Sequence, residues 1–276
     1  MGSRRGVLGI DAAWTAGAPS GVAWLVEGEA GWRIAGCAPS YSAFCALAEG
    51  EEVAWGEKKN DSGVWPDLKT LVGAAQRIEE AEARVVAVDM PLAKGPCIAR
   101  RAADNAISSA FGARGCSTHS PTPERPGELG MDLMRQLEAA GFPLAVAPAS
   151  GGTKTLAHSI EVYPHPALLR LLGLDYRLPY KVSRSSQYWK GESVEARIGY
   201  LLENFARIRS GLEARLGPVP VPVPSPGEVA TLSGLKRFED ALDALICAWV
   251  GLCFLEGEAD SFGDADAAVW VPSAGA

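Results

Sequence analysis

The sequence predicts a mixed α/β fold, one sheet with helices on its faces. Three observations predict it. The chain opens with three strand-like runs joined by glycine-bearing turns. A short unbroken apolar run, Val85–Val88, has the pattern of a strand buried on both faces. A strongly apolar helix interrupted by acids, about Phe238–Leu255, lies near the end.

Taken in order, Val7–Ala13 is the first strand, Gly21–Val26 the second and Trp32–Gly36 the third, after a turn over Glu27–Gly31. Glycine-rich turns at this spacing predict an antiparallel meander. A helix follows over Ser40–Ala48 or Leu68–Ala83; in the latter, Leu68, Leu71, Val72, Ala75 and Ile78 repeat at helical spacing. Beyond Val85–Val88, residues 96–141 read as a helical, loop-rich insertion. His119-Ser120-Pro121-Thr122-Pro123 cannot be regular helix, whereas Leu129–Ala140 is expected to be one. Next come a strand around Ile160–Tyr163, a helix over Pro166–Leu172, a polar segment at 174–192 and a helix over Val194–Leu216. Ala149–Thr155 reads as a hairpin turn, because it lacks the glycine before lysine and the spacing of a phosphate loop. The proline-rich run 217–227 is an extended, stiff loop rather than a domain boundary, since only one helix and a strand near Ala268–Val271 follow. The expectation is a single domain over residues 1–276.

With 47% hydrophobic and 21% charged residues in 276, the composition is that of a soluble globular chain. Met1–Arg5 leads straight into a strand, without the ~7–15-residue apolar stretch of a signal peptide. No run reaches the ~18 apolar residues of a membrane span. A cytoplasmic protein with no membrane partner is expected. Six cysteines form no Cys-x-x-Cys pair and read as reduced, mostly buried thiols. Cys116 and His119 lack the second pair that would complete a zinc site. A net charge of −7 argues against a broad basic surface for nucleic acid. Two local groups, Lys94, Arg100, Arg101 and Arg114, then Arg177, Lys181, Arg184 and Lys190, can still make a region positive.

Carboxylates carry the functional signal. Asp11 closes the first apolar strand and Asp89 the fourth, and Glu161 lies on the fifth. In such a sheet Asp11 and Asp89 would be neighbours near its centre. Asp240 and Asp243, three apart, share a face of the last helix. Carboxylates at the ends of buried strands are costly unless something positive meets them, and hard cations such as Mg²⁺ prefer oxygen ligands. Single acids after strands are common as turn or cap residues, so the combination is the signal. Arg100 and Arg101, with Asp104, follow Asp89 on an expected helix and read either as phosphate contacts or as an ion-paired helix face. His165 between two prolines and Lys181 are further candidate substrate contacts, each with a structural alternative. His119 is expected in a structural loop.

Gly9-Ile10-Asp11-Ala12-Ala13-Trp14, Ala87-Val88-Asp89-Met90-Pro91-Leu92, Glu161-Val162-Tyr163-Pro164-His165-Pro166 and Asp240-Ala241-Leu242-Asp243-Ala244-Leu245 occur in this order. Together they resemble the DUF429 family of predicted ribonuclease-H-like nucleases over about residues 6–272. The resemblance implies a ribonuclease-H-like fold, a mixed five-stranded sheet with helices on both faces. It also implies catalytic and metal-binding roles for Asp11, Asp89 and Asp243, with Asp240 as a further metal ligand and Glu161 either supporting the site or replacing a ligand. The reading is a nuclease or phosphodiesterase in which Mg²⁺ or Mn²⁺ activates water for in-line attack on phosphorus, with Arg100, Arg101, Glu161, His165 and Lys181 as substrate contacts. Its partner would be nucleic acid or another phosphorylated substrate. Two other readings stay open: a non-catalytic scaffold that binds nucleic acid or protein, and a phosphotransferase of the sugar-kinase and actin-like type.

Overall fold

The computed structural model describes residues 3–15, 17–55, 67–147 and 156–275. The expected hairpin turn at Ala149–Thr155 lies outside the described residues. The three N-terminal runs form an antiparallel meander of β1 (Arg5–Asp11), β2 (Gly21–Gly28) and β3 (Gly31–Ala38). Both candidate first helices exist, as α1 (Tyr41–Ala48) and α2 (Leu68–Ile78). The second stops short of Ala83 because Glu79 already turns extended, and Glu82–Val88 is β4.

The insertion contributes α3 (Ala102–Phe111) and α4 (Glu128–Ala139). Then follow β5 (His158–Val162), α5 (Pro164–Leu171), the single turn α6 (Ser185–Tyr188) and the long α7 (Val194–Leu216). The proline-rich run returns along the core with Val219 and Val221 buried. It leads into α8 (Leu232–Glu256), capped by Thr231 at one end and by Gly257, with φ of +80°, at the other.

The sheet has seven strands rather than the expected five, in the order β3-β2-β1-β4-β5-β7-β6, where β6 is Ala259–Gly263 and β7 is Ala268–Pro272. β7 is the strand expected near Ala268–Val271, and β6, which the sequence does not predict, pairs with it as a hairpin; β7 joins β5 through Glu161↔Val269 and Val162↔Trp270. β6 is short and only half-buried, with no apolar run of its own, so its pairing with β7 is what makes it a strand.

Strand alternation divides the core. Val7, Ala23, Leu25, Val85 and Ala87 point to the face covered by α5, α7 and α8. Leu8, Ile10, Val22, Trp24, Val86 and Val88 point to the opposite face, under α1, α2 and α4. A smaller cluster packs α3 on β7. α8 is buried nearly all round, as expected of a helix central to a core. It lies almost against the sheet backbone, because a Cβ on Gly9 would stand 2.2 Å from Ala244 O, and one on Gly21 2.0 Å from Asp240 O. This approach brings the acids of α8 to the strand ends. Among the described residues no helix is long and apolar enough to cross a membrane, and the six cysteines are free, five of them buried.

Candidate functional site

Two adjacent parallel strands deliver the first two acids. Ile10 pairs with Val88, and the Asp89 amide donates to Ile10 O at 2.9 Å, so Asp11 and Asp89 leave the sheet side by side. Ile10 and Val88 face α1 and α2, so alternation turns the next residue of each strand toward α8. Both carboxylates keep part of their surface open, and neither has a protein cation bonded to it among the described residues. Burial drives Asp89 well above the usual carboxylate range; Lys181 opposes the shift, while Asp11, Asp243 and Glu161 add to it. Cys247, one turn beyond Asp243 on α8, is also pushed well up, first by burial and then by Asp89, Asp11 and Asp243. Asp11 and Asp89 therefore lie near the stretch of α8 that carries Asp243 and Cys247.

α8 supplies Glu239, Asp240 and Asp243, each almost fully buried. Tyr180 Oη donates to Asp243 Oδ1 at 2.6 Å, and the Lys181 ammonium donates to Asp243 Oδ2. Glu239 Oε2 accepts from the Val182 amide at 2.6 Å, and its Oε1 accepts from Lys236 at 2.9 Å. Lys236 also bonds Asp240 Oδ1, whereas the buried Asp240 Oδ2 has no partner. Burial pushes Asp243 up to about 6, with Lys181 opposing and Asp11 and Glu239 reinforcing. Asp240 is likewise held well above its usual range by burial, with Asp11 and Glu239 adding to the shift against the pull of Lys236. Burial would lower Lys181, but Asp243, Tyr180, Glu239 and Asp11 outweigh it and hold the ammonium firmly charged.

Five carboxylates, Asp11, Asp89, Glu239, Asp240 and Asp243, thus face two ammonium groups, Lys181 and Lys236. Among the described residues no three of these acids already stand as a closed metal cluster. The donor set still fits a hard divalent cation: every donor is a carboxylate oxygen, the neighbourhood is short of positive charge, and one oxygen of Asp240 is buried and orphaned. Asp243 is the acid least free to serve, since Tyr180 and Lys181 already hold it.

The other expected contacts divide. Glu161 is met by the Arg101 fork at 2.5 and 2.7 Å and by the Leu92 amide at 2.8 Å. Arg101 also binds Asp104 at 2.8 Å and Leu92 O at 2.8 Å, so its guanidinium is committed within the protein. This network ties the loop after Asp89 to the start of α3 and to β5. Arg100 is similarly engaged, with Asn105, Ser108, Ser120 and Asp104 O. Of these two expected phosphate ligands, Arg101 is thus ion-paired to Glu161 and Asp104, whereas Arg100 bonds only neutral groups of the described residues. His165 is buried, its ring edge-on to Tyr163 and Tyr180 at 5.3 and 5.2 Å. Lys181 lies inside the carboxylate group itself.

Sequence reasoning missed Tyr180, Glu239 and Lys236. Lys236 stands three and four residues before Glu239 and Asp240, the spacing of helical ion pairs, and could have been found on that ground. Nothing local marks Tyr180 as a partner of a residue 63 positions away.

A family model described as a protein of unknown function (DUF429) matches residues 9–268, nearly the whole chain. No curated protein and no solved structure matches.

Proposed function

We propose that this chain, which belongs to the DUF429 family, is a metal-dependent phosphodiesterase of ribonuclease-H-like fold that cleaves nucleic acid. One observation carries the reading: Asp11 and Asp89 emerge side by side from adjacent strands, with no cation of the described residues bonded to them, against an α8 whose own acids leave negative charge in excess. The fold reading is supported by the first five strands of the order, β3-β2-β1-β4-β5, which set the acid-bearing β1 and β4 in the middle. The β6–β7 hairpin extends that core at one edge.

In this reading Asp11 and Asp89 hold Mg²⁺ or Mn²⁺, and the orphaned oxygen of Asp240 is the further donor. The ion supplies Lewis-acid stabilisation of charge on phosphorus and a water of lowered pKa. Lys181, held by Asp243 and Glu239, offsets part of the negative charge beside the phosphate. Tyr180 and Lys181 keep Asp243 in one orientation, and the Arg101–Glu161–Asp104 network holds the Asp89 loop in place. The test is calorimetric titration of Mg²⁺ and Mn²⁺ into the wild type and Asp11→Asn, with cleavage assays on single-stranded, duplex and branched substrates. Binding and metal-dependent cleavage, both lost in the variant, support the proposal; no binding even with nucleic acid present sinks it.

One observation favours a second reading, a non-catalytic scaffold. Lys181 and Lys236 already bond the acids of α8, as internal cations do in a site that needs no metal. That reading expects Asp11→Asn to leave function intact. Nothing among the described residues favours the phosphotransferase.

A further inference from the structure

Beside the carboxylates lies a cationic strip. The segment 112–119 and the segment 174–190 are laced together. The Arg177 amide donates to Arg114 O at 2.9 Å, Arg114 Nε donates to Asp175 O at 3.1 Å, and Arg184 donates to His119 Nε2. A guanidinium only donates, so His119 Nε2 must be the acceptor there and carries no proton. Tyr163 Oη, donating to Ser117 O at 3.1 Å, joins this strip to β5, and the Tyr163–His165–Tyr180 ring stack runs from it to Asp243.

Arg177 and Arg184 have no carboxylate partner among the described residues. The half-buried Arg177 guanidinium donates to the Tyr188 hydroxyl at 3.2 Å and to Gly115 O at 3.5 Å, and lies over the Tyr188 ring. On a chain of net charge −7 the strip holds one acid, Asp175 beside Tyr176, against Arg114, Arg177, Lys181, Arg184 and Lys190. The field of Arg177 and Arg184 is felt by both imidazoles. Burial comes first in holding His119 and His165 below the ordinary range, with Arg177 and Arg184 adding at each.

Aromatic rings flank these charges. Tyr176, next to Arg177, is 65% exposed. Its ring is seated against Gly115, where a Cβ would stand 2.8 Å from Tyr176 Cζ. A second group, Tyr188, Trp189 and the partly exposed Tyr200, packs ring to ring at 5.6 and 5.1 Å. Unpaired arginines interleaved with an exposed, seated ring are what a flexible polyanion with stackable bases requires.

We propose that the strip bearing Tyr176, Arg177 and Arg184 binds single-stranded nucleic acid, with the arginines on successive phosphates and Tyr176 under a base. The proposal deepens the nuclease reading, and rests on it for what the strand is delivered to: the acids at Asp11 and Asp89. A mononucleotide would leave Tyr176 or one arginine unused, and an acidic peptide would have no base for the ring.

The experiment is fluorescence anisotropy of labelled ~12-nucleotide single strands and duplexes with the full chain in EDTA, across a salt series. The expected result is single-strand binding that weakens with salt. Arg177→Gln and Arg184→Gln should each weaken it several-fold and reduce the salt slope by about 0.7. Tyr176→Ala should weaken it about fivefold or more with the slope unchanged. Thermal melting checks that each variant folds; Tyr176→Ala, at a ring 65% exposed that rests on Gly115, carries the test if an arginine variant does not fold. Absence of wild-type binding, variants that bind like wild type, a preference for duplex, or equal displacement by pyrophosphate or polyglutamate would each overturn the proposal. Metal titration of the wild type separates the two claims. A strand bound by Tyr176 and the arginines without any metal binding overturns the nuclease reading alone, and metal binding without a strand overturns this one alone.

Discussion

The hydroxyl of Tyr180 and the carboxylate of Asp243 meet at 2.6 Å, both side chains fully buried, across 63 residues of chain. The same Asp243 holds Lys181 through its other oxygen. The pair docks the segment before α6 onto α8. Tyr180→Phe keeps the ring but leaves Oδ1 without its donor, and should destabilise the protein by about 1–3 kcal/mol in urea denaturation. A loss below about 0.5 kcal/mol would mean that water reaches the carboxylate.

Asp11→Asn should have opposite effects with and without metal. Asp11 adds repulsion at Asp89, Asp240 and Asp243. Removing its charge should raise the melting temperature in EDTA, and should abolish the further rise that Mg²⁺ produces in the wild type. A variant melting below the wild type in EDTA would show that the acids are already balanced.

Lys181→Met removes the cation that contacts Asp243 and Glu239. One-sided loss of a buried pair should cost about 3–5 kcal/mol. Mn²⁺ should restore part of it, if ammonium and divalent cation answer the same excess of negative charge. Melting curves with and without Mn²⁺ decide this, and equal curves would separate Lys181 from the metal.

The two neighbouring arginines should behave differently. Arg101 forks onto Glu161 and Asp104 with 9% of its side chain exposed, so Arg101→Ala should cost about 3–5 kcal/mol. Arg101→Lys should rescue little, because an ammonium cannot form the fork. Arg100 makes neutral, mostly exposed contacts, and Arg100→Ala should cost about 1 kcal/mol or less. Chemical denaturation of the three variants tests the ranking.

The raised carboxylates set a pH dependence of stability. Asp243 binds its proton with a pKa of about 6 in the folded protein against 3.8 ordinarily, so the folded state holds more protons between those values. Stability from this group is therefore full below about pH 4 and falls as pH rises through about 6. Melting in EDTA should show this fall superposed on the other groups. Asp243→Asn should flatten that part of the profile, and an unchanged profile would assign the proton elsewhere.

The residues themselves determined much of this molecule. Apolar runs ended by Asp11 and Asp89 read as strands with acids at their ends, and amphipathic spacing ahead of the Gly217 breaker located Val194–Leu216 as a helix. Those are local properties, written in burial pattern and spacing. Tertiary structure decided the rest, because it depends on which distant groups meet. Arg101 finds Glu161 60 positions away and is committed there, while Arg177 and Arg184 find no acid at all among the described residues. The half-exposed run Ala259–Gly263 is a strand only because Ala268–Pro272 pairs with it. Lys181 lies among the acids because Tyr180 and Val182 dock its segment onto Asp243 and Glu239 of α8, and a cation inside a carboxylate group is a fact of packing that no spacing along the chain can encode.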